Sequence, residues 1–260
     1  MSKEQARLAE RVAIVTGAGR GIGGGIAKRF AAEGARVAVC DLDDTAARGT
    51  AERIVQAGGE AIAESFDVQD ADAVRGFVDH VGATLGSISI LVNNAAVMPS
   101  SAIESMPVDL IDRVLRINVR AAVVFSQAVT PWMRRSGGGA VLHMCSTQGY
   151  HGSPGKAIYA ASKAALRVLA QVQAKEHASD GIRVNTVSPG SIDSPMFENE
   201  AIRSPEGRDT YYRRSNELHP RGKIGSIEEV AAAFAFLASD EAANITATDL
   251  RCDGGLAVAV

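Results

Sequence analysis

The stretch RVAIVTGAGRGIGGGIAKRFAAEG, residues 11–34, decides the fold. It begins as a short run rich in β-branched residues without polar alternation, the pattern of a strand covered on both faces. It ends as an amphipathic run closing at Gly34, the pattern of a helix. Between them Gly17, Gly21 and Gly23 follow the strand in the spacing TGxxxGxG. A glycine-rich turn of this kind lets the backbone approach a pyrophosphate, and the N–H groups and dipole of the helix N-terminus favour its negative charge. Arg20 and Ile22 sit inside the same candidate loop. Gly24 and Gly25 follow; each glycine in a helix interior costs about 1 kcal/mol against alanine. Their presence implies close approach there and strengthens the dinucleotide reading.

The same rhythm runs along the chain. Apolar runs recur as ARVAVC (35–40), GEAIAESF (59–66), ISILVN (88–93), GAVLHMCS (139–146), IRVNTVS (182–188) and TDLRC (248–252). Amphipathic stretches separate them, among them residues 44–59, 73–86 and the long run 108–139. Alternating strands and helices, with strands apolar throughout, predict an α/β fold: a doubly wound Rossmann sheet of about seven parallel strands with helices on both faces. At 260 residues, with no Pro/Gly/Ser linker and no repeat, the chain reads as one dinucleotide-binding and catalytic domain, residues 1–260. The rhythm lapses at residues 194–220, which are polar and helical in composition. An excursion of that length in a compact domain reads as a lid over a site.

Composition narrows the function classes. A formal charge of −3 and a pI near 6.0 provide no basic field for nucleic acid. The opening MSKEQARLAER has no apolar core and no run spans a bilayer, so the chain reads as cytoplasmic and without a membrane partner. Cys40, Cys145 and Cys252 lie far apart inside or beside apolar runs, as buried thiols rather than a disulfide framework. The five histidines lack ligand spacing, and no metal site is expected.

Two further features carry chemistry. Asp41, at the end of the second strand and within DLDD, stands where a carboxylate accepts hydrogen bonds from an adenosine ribose and repels a 2′-phosphate. This favours NAD over NADP, with Arg20 and Arg36 as cations that would soften the choice. The second feature is YAASK, residues 159–163, which puts Tyr159 and Lys163 on one helical face. A phenol ionises near pH 10, so the spacing alone does not make Tyr159 a proton carrier.

The ordered set of motifs carries a resemblance. TGAGRGIG, Asp41, Asp67, NNAA at residues 93–96, Asn118, Ser146, Tyr159, Lys163, SPGSIDSP at 188–195 and the terminal DGG resemble the short-chain dehydrogenase/reductase family in its single-domain form. The resemblance runs over essentially the whole chain. Departures are small: Ala96 and Cys145 stand where the family usually has glycine and serine, and Ser194 where it often has threonine.

The resemblance implies an enzyme with Tyr159 as general acid/base, Ser146 hydrogen-bonding the substrate oxygen, Lys163 on the nicotinamide ribose and Asn118 holding a water in a proton relay. Physically, an ammonium and the positive ring of NAD⁺ both favour the phenolate, so the Tyr159 pKa is expected to be lowered. Asp67 and Val68 are implied at the adenine, Asn93, Asn94 and Ala95 where the fourth strand's carboxyl end meets the dinucleotide crevice, and Pro189, Gly190, Ile192 and Ser194 at the nicotinamide amide. Gln148, Tyr150 and Met196 are the substrate candidates beside Ser146 and Tyr159, with His151, Val97, Met98 and Phe197 nearby. The expected reaction is hydride transfer between a secondary alcohol and NAD⁺; polyols, sugars and hydroxysteroids stay open. The alternatives are an NADPH-dependent 3-oxoacyl reductase, against which Asp41 argues, and a non-catalytic dinucleotide sensor, which would have lost part of the catalytic set. Family members commonly pair two long helices, here the ones bearing Val123, Val124, Val168 and Leu169, so a homotetramer is expected, aided by the apolar end LAVAV.

Overall fold

The computed structural model describes residues 6–259. Seven strands form one sheet in the order β3-β2-β1-β4-β5-β6-β7, with every pairing parallel. They are β1 Val12–Thr16, β2 Arg36–Asp41, β3 Glu60–Ser65, β4 Ile88–Asn93, β5 Gly139–Met144, β6 Ile182–Pro189 and β7 Asp249–Cys252. The connecting helices are α1 Gly21–Ala32, α2 Asp44–Gln56, α3 Ala71–Leu85, α4 Val108–Leu115, α5 Ala121–Arg135 and α6 Ala157–Glu176. After β6 come α7 Pro195–Arg203, α8 Arg208–Leu218 and α9 Ile227–Ala238, and after β7 the short α10 Leu256–Ala259.

Both faces of the sheet are covered, which is why the strands lack polar alternation. Ala13 and Val15 share a buried cluster with Ile26 and Phe30 of α1, Ile54 of α2 and Phe234 of α9. Val12 and Ile14 share the other with Phe77 of α3, Phe125 of α5 and Ala170 of α6. In β4 the register against β1 slips at Ser89. That extra residue turns Ile90 and Val92 to the first cluster while Ile88 and Leu91 join the second. Strand order reverses between β1 and β4, so the crevice at their carboxyl ends is the place where such sheets bind ligands.

Several sequence expectations need correction. A Cβ on Gly25 would lie 2.1 Å from Ile227 Cγ2, so this glycine serves the packing of α1 on α9 and not a ligand. A Cβ on Gly24 would meet the Ala18 carbonyl at 3.2 Å, again an internal contact. Arg36 opens β2 while Asp41 ends it; at about 3.3 Å per residue the two are some five residues apart along the strand and cannot share a phosphate. Val124 is buried in its own core and presents no outer surface. The long run 108–139 is not one regular helix: α4 passes into α5 through a π-helical turn, Arg116–Arg120, with Asn118 at its centre.

Residues 194–220 form α7 and α8, clasped by Phe197, whose ring packs edge-on against Tyr212 at 4.9 Å and tilted against Tyr211 at 5.2 Å. Phe197 is therefore the buried core of this helix pair and not a pocket wall. The three cysteines are free, Cys40 and Cys145 buried and Cys252 half-buried. No helix among the described residues is long and apolar enough to cross a membrane. Val260, the last residue of LAVAV, and residues 1–5 lie outside the described residues.

Candidate active site

The glycine turn is built by backbone conformation. Gly17 and Gly21 have φ of 61° and 58°, the left-handed region that a side chain disfavours. A Cβ on Gly17 would also strike Ala95 Cα at 2.9 Å. The end of β4 laces this turn: Asn94 Nδ2 donates to the carbonyls of Thr16 at 2.8 Å and Gly17 at 3.0 Å. The N–H groups of Asn94 and Ala95 both donate to Thr16 Oγ1 at 3.0 Å. Helix α1 then starts without a side-chain cap and without an acidic residue in its first turn. Its first N–H groups thus lack a side-chain acceptor, the condition under which a helix N-terminus takes a phosphate. These features, with Ile22 and Gly23 in that first turn, fit a dinucleotide.

The adenosine side is less uniform. Asp41 accepts from the N–H groups of Gly19 at 2.9 Å and Asp43 at 3.1 Å, which fixes its carboxylate against the turn. Arg20 is exposed and reaches Asp43 at 3.4 Å. Asp67 accepts from the backbone and side chain of Gln69, both at 2.9 Å. Val68, Asn93, Ala95, Thr16, Ile117 and Asn118 line a small cavity of about 10 Å³, the lower limit for a single water. Ile117 carried no sequence signal; the π-helical turn brings it here.

At the carboxyl end of β5 the four catalytic candidates come near one another. Lys163 is 2% exposed and its Nζ donates to the Met144 carbonyl at 2.7 Å. The same nitrogen lies 5.5 Å from the centroid of the Tyr159 ring. No carboxylate among the described residues forms an ion pair with it, and burial pulls its pKa down to about 8. Ser146 follows β5 as the cap of a short 3₁₀ turn, Thr147–Gly149, its Oγ accepting from Gln148 N at 3.2 Å.

Burial pushes the Tyr159 phenol up to about 12, while a hydrogen bond with Ser146 works in the opposite sense. The expected lowering is therefore not found, because desolvation outweighs the Ser146 hydrogen bond. Asn118 is buried; its Oδ1 accepts from Val97 N at 2.9 Å and its Nδ2 donates to Val97 O and Ser162 Oγ, both at 3.0 Å. It ties the loop after β4 to the helix bearing Tyr159. A π-helical turn at such a residue is typical of functional sites.

Beyond β6, a Cβ on Gly190 would meet His219 Nε2 at 2.9 Å, and that nitrogen accepts from Ser191 N at 3.3 Å. Pro189 ends the strand, Ile192 is buried, and Ser194 caps α7 by accepting from Phe197 N at 3.4 Å. The start of α7 faces the glycine turn, since a Cβ on Gly21 would find Pro195 Cδ at 3.5 Å.

Of the substrate candidates, Gln148 donates to Ser153 Oγ at 2.9 Å and leaves its buried Oε1 without a partner, as does His151 its Nε2. Met196 is exposed on α7. Tyr150 is corrected: its hydroxyl donates to Asp249 on β7 and the Arg167 guanidinium stacks on its ring at 3.6 Å, so it faces the sheet edge. Sequence reasoning missed Lys156 and Glu200, whose ion pair joins the entrance of α6 to α7, and Tyr211, which donates to the same carboxylate at 3.4 Å. It also missed His143 of β5 and Gln173 of α6, which are buried and bonded to each other.

Comparison with known proteins yields consistent matches. A family model described as enoyl-(acyl carrier protein) reductase matches residues 17–257. The D-threitol dehydrogenase of Mycolicibacterium smegmatis is 37% identical over 255 residues, 97% of this chain and 95% of that protein. The 2,5-dichloro-2,5-cyclohexadiene-1,4-diol dehydrogenase LinX of Sphingobium indicum is 34% identical over 254 residues, covering 98% and 99%. A short-chain type dehydrogenase/reductase from Mycobacterium marinum superposes with a TM-score of 0.90 at 32% identity, covering 97% of this chain and 98% of that one.

Proposed function

This chain belongs to the short-chain dehydrogenase/reductase family, and on that premise we propose that it is an NAD-dependent dehydrogenase of secondary alcohols, with polyols as its foremost substrates. It is an oxidoreductase of alcohols and ketones that uses a nicotinamide cofactor. The observation that carries the catalytic reading is Lys163: an ammonium buried without a carboxylate partner among the described residues, beside the ring of Tyr159. Burying an uncompensated charge is costly, and a site that tolerates the cost has a use for it.

In this reading NAD, when bound, accepts or returns the hydride. Gly17, Arg20, Gly21, Ile22 and Gly23 hold its pyrophosphate, and Asp41 takes the ribose hydroxyls and repels a 2′-phosphate. Lys163 favours the phenolate of Tyr159, which takes the hydroxyl proton of the alcohol. Ser146 donates to the substrate oxygen as charge develops there, and Asn118 holds a bridging water in the proton relay to Lys163. Residues 194–220 act as a lid on one catalytic unit, and the protein assembles as a homotetramer. A cyclohexadienediol dehydrogenase and a threitol dehydrogenase among its relatives support polyols as the substrate class.

A panel of secondary alcohols, polyols and hydroxysteroids with NAD⁺ and NADP⁺ tests this. Turnover with NAD⁺ is expected to dominate, and Tyr159→Phe should lower kcat by about a hundredfold to ten-thousandfold while calorimetry shows NAD⁺ still bound. A strong NADP⁺ preference would overturn the role of Asp41; near-normal turnover in the variant would remove Tyr159.

A further inference from the structure

The α7 helix brings a carboxylate to the entrance of the catalytic helix. Glu200 pairs with Lys156, the residue that precedes α6, and both side chains are withdrawn from solvent, at 24% and 14% exposure. Tyr211 of α8 donates to the second oxygen of Glu200 at 3.4 Å, so the carboxylate is held from two elements. Lys156 and Tyr159 are three residues apart across the first turn of α6, a spacing that puts two side chains on one helical face. Glu200 thus lies at the entrance of the helix that bears the Tyr159 phenol. Its negative charge bears on Tyr159, adding to burial in disfavouring the phenolate. On the Ser146 side, Gln148 Oε1 and His151 Nε2 are buried without partners.

Polar groups of this kind are poor neighbours for a purely apolar substrate. Covering the partly exposed Lys156–Glu200 pair with hydrocarbon would strip it of its remaining water and return nothing, and Gln148 Oε1 and His151 Nε2 already lack partners. A neutral substrate carrying a hydroxyl beside the reacting one would replace the lost water. We infer that Glu200, held by Lys156 and Tyr211, is a specificity-determining residue that accepts a hydrogen bond from a second hydroxyl of the alcohol substrate. The inference rests on the proposed dehydrogenase reading and goes beyond it by assigning the diol preference to one side chain.

The test compares kcat/KM for butan-2-ol, butane-2,3-diol and threitol, which share a four-carbon chain, in the wild type and in Glu200→Gln. The wild type should prefer the diol and threitol. In the variant the ratio of diol to mono-alcohol kcat/KM should fall by about tenfold or more, the scale of one hydrogen bond to a charged group. Glu200→Asp, which keeps the charge, should retain most of the ratio. Should Glu200→Gln fail to fold, Tyr211→Phe loosens the same carboxylate and should lower the ratio about threefold. An unchanged ratio, or a wild type that prefers butan-2-ol, overturns the inference. A wild type active only on an apolar ring alcohol overturns it too but leaves the dehydrogenase reading standing. Inactivity toward every alcohol with both nucleotides removes that reading, and this inference with it.

Discussion

His143 has no exposed surface, yet both its ring nitrogens are partnered. Nδ1 accepts from Asn93 Nδ2 at 3.2 Å, and Nε2 donates to Gln173 Oε1 at 2.9 Å. The partners fix the neutral tautomer and join β4, β5 and α6 three residues before Ser146. Burial pushes the His143 pKa down to about 4, opposed by Gln173 and assisted by the Lys163 charge. The unfolded chain takes up this proton near pH 6.5 and the folded protein only near 4. The corresponding stability is present above pH 6.5 and is lost as pH falls toward 4, by about 3 kcal/mol. Urea unfolding at pH 7 and pH 4.5 should show that loss, and His143→Asn should flatten the slope whatever it does to stability at pH 7. An equally steep slope in the variant would place the acid sensitivity elsewhere.

Helix α1 shows how an element-level contact can pass for a ligand signal. Gly25 reads in sequence as part of a glycine-rich cofactor loop, but it sits opposite Ile227, the first residue of α9. That helix is fixed by a capping box, Ser226 Oγ accepting from Glu229 N at 3.3 Å and Glu229 Oε2 from Ser226 N at 2.9 Å, so it cannot easily yield. Gly25→Ala is expected to cost about 1–3 kcal/mol through overpacking, and Ile227→Ala in the same chain should recover part of it. Thermal melts of the single and double variants, with NAD⁺ affinity unchanged in both, check this. A loss of affinity without a loss of stability would return Gly25 to the cofactor loop. The strands themselves were legible because burial on both faces enforces uninterrupted apolar runs. The π-helical turn at Asn118 was not, because an i→i+5 hydrogen-bond step leaves no mark in composition or in a 3.6-residue period.

At the scale of the whole molecule, the parallel sheet delivers Gly17, Asp41, Asn94, Ser146 and Pro189 to the carboxyl ends of its strands, so strand-then-polar motifs could be read along the chain. Lys156 with Glu200 could not, since only the return of α7 to the entrance of α6 makes neighbours of them. The proposed tetramer depends on a surface of the same tertiary origin. The outer sides of α5 and α6 form a groove of about 370 Å³ lined by Val123, Gln127, Pro131, Leu169 and Val172. Val172 and the adjoining Val168 are 46% and 61% exposed. Two-fold pairing of this face would bury both valines against their copies, and a carboxylate introduced there would meet its own image in a desolvated seam. Light scattering of the wild type should therefore give about four times the 27.1 kDa chain mass, and Val172→Glu should lower it to a dimer or monomer with the melting transition still cooperative. A wild type that is monomeric at micromolar concentration, or a variant that keeps the full mass, would exclude this face from the assembly.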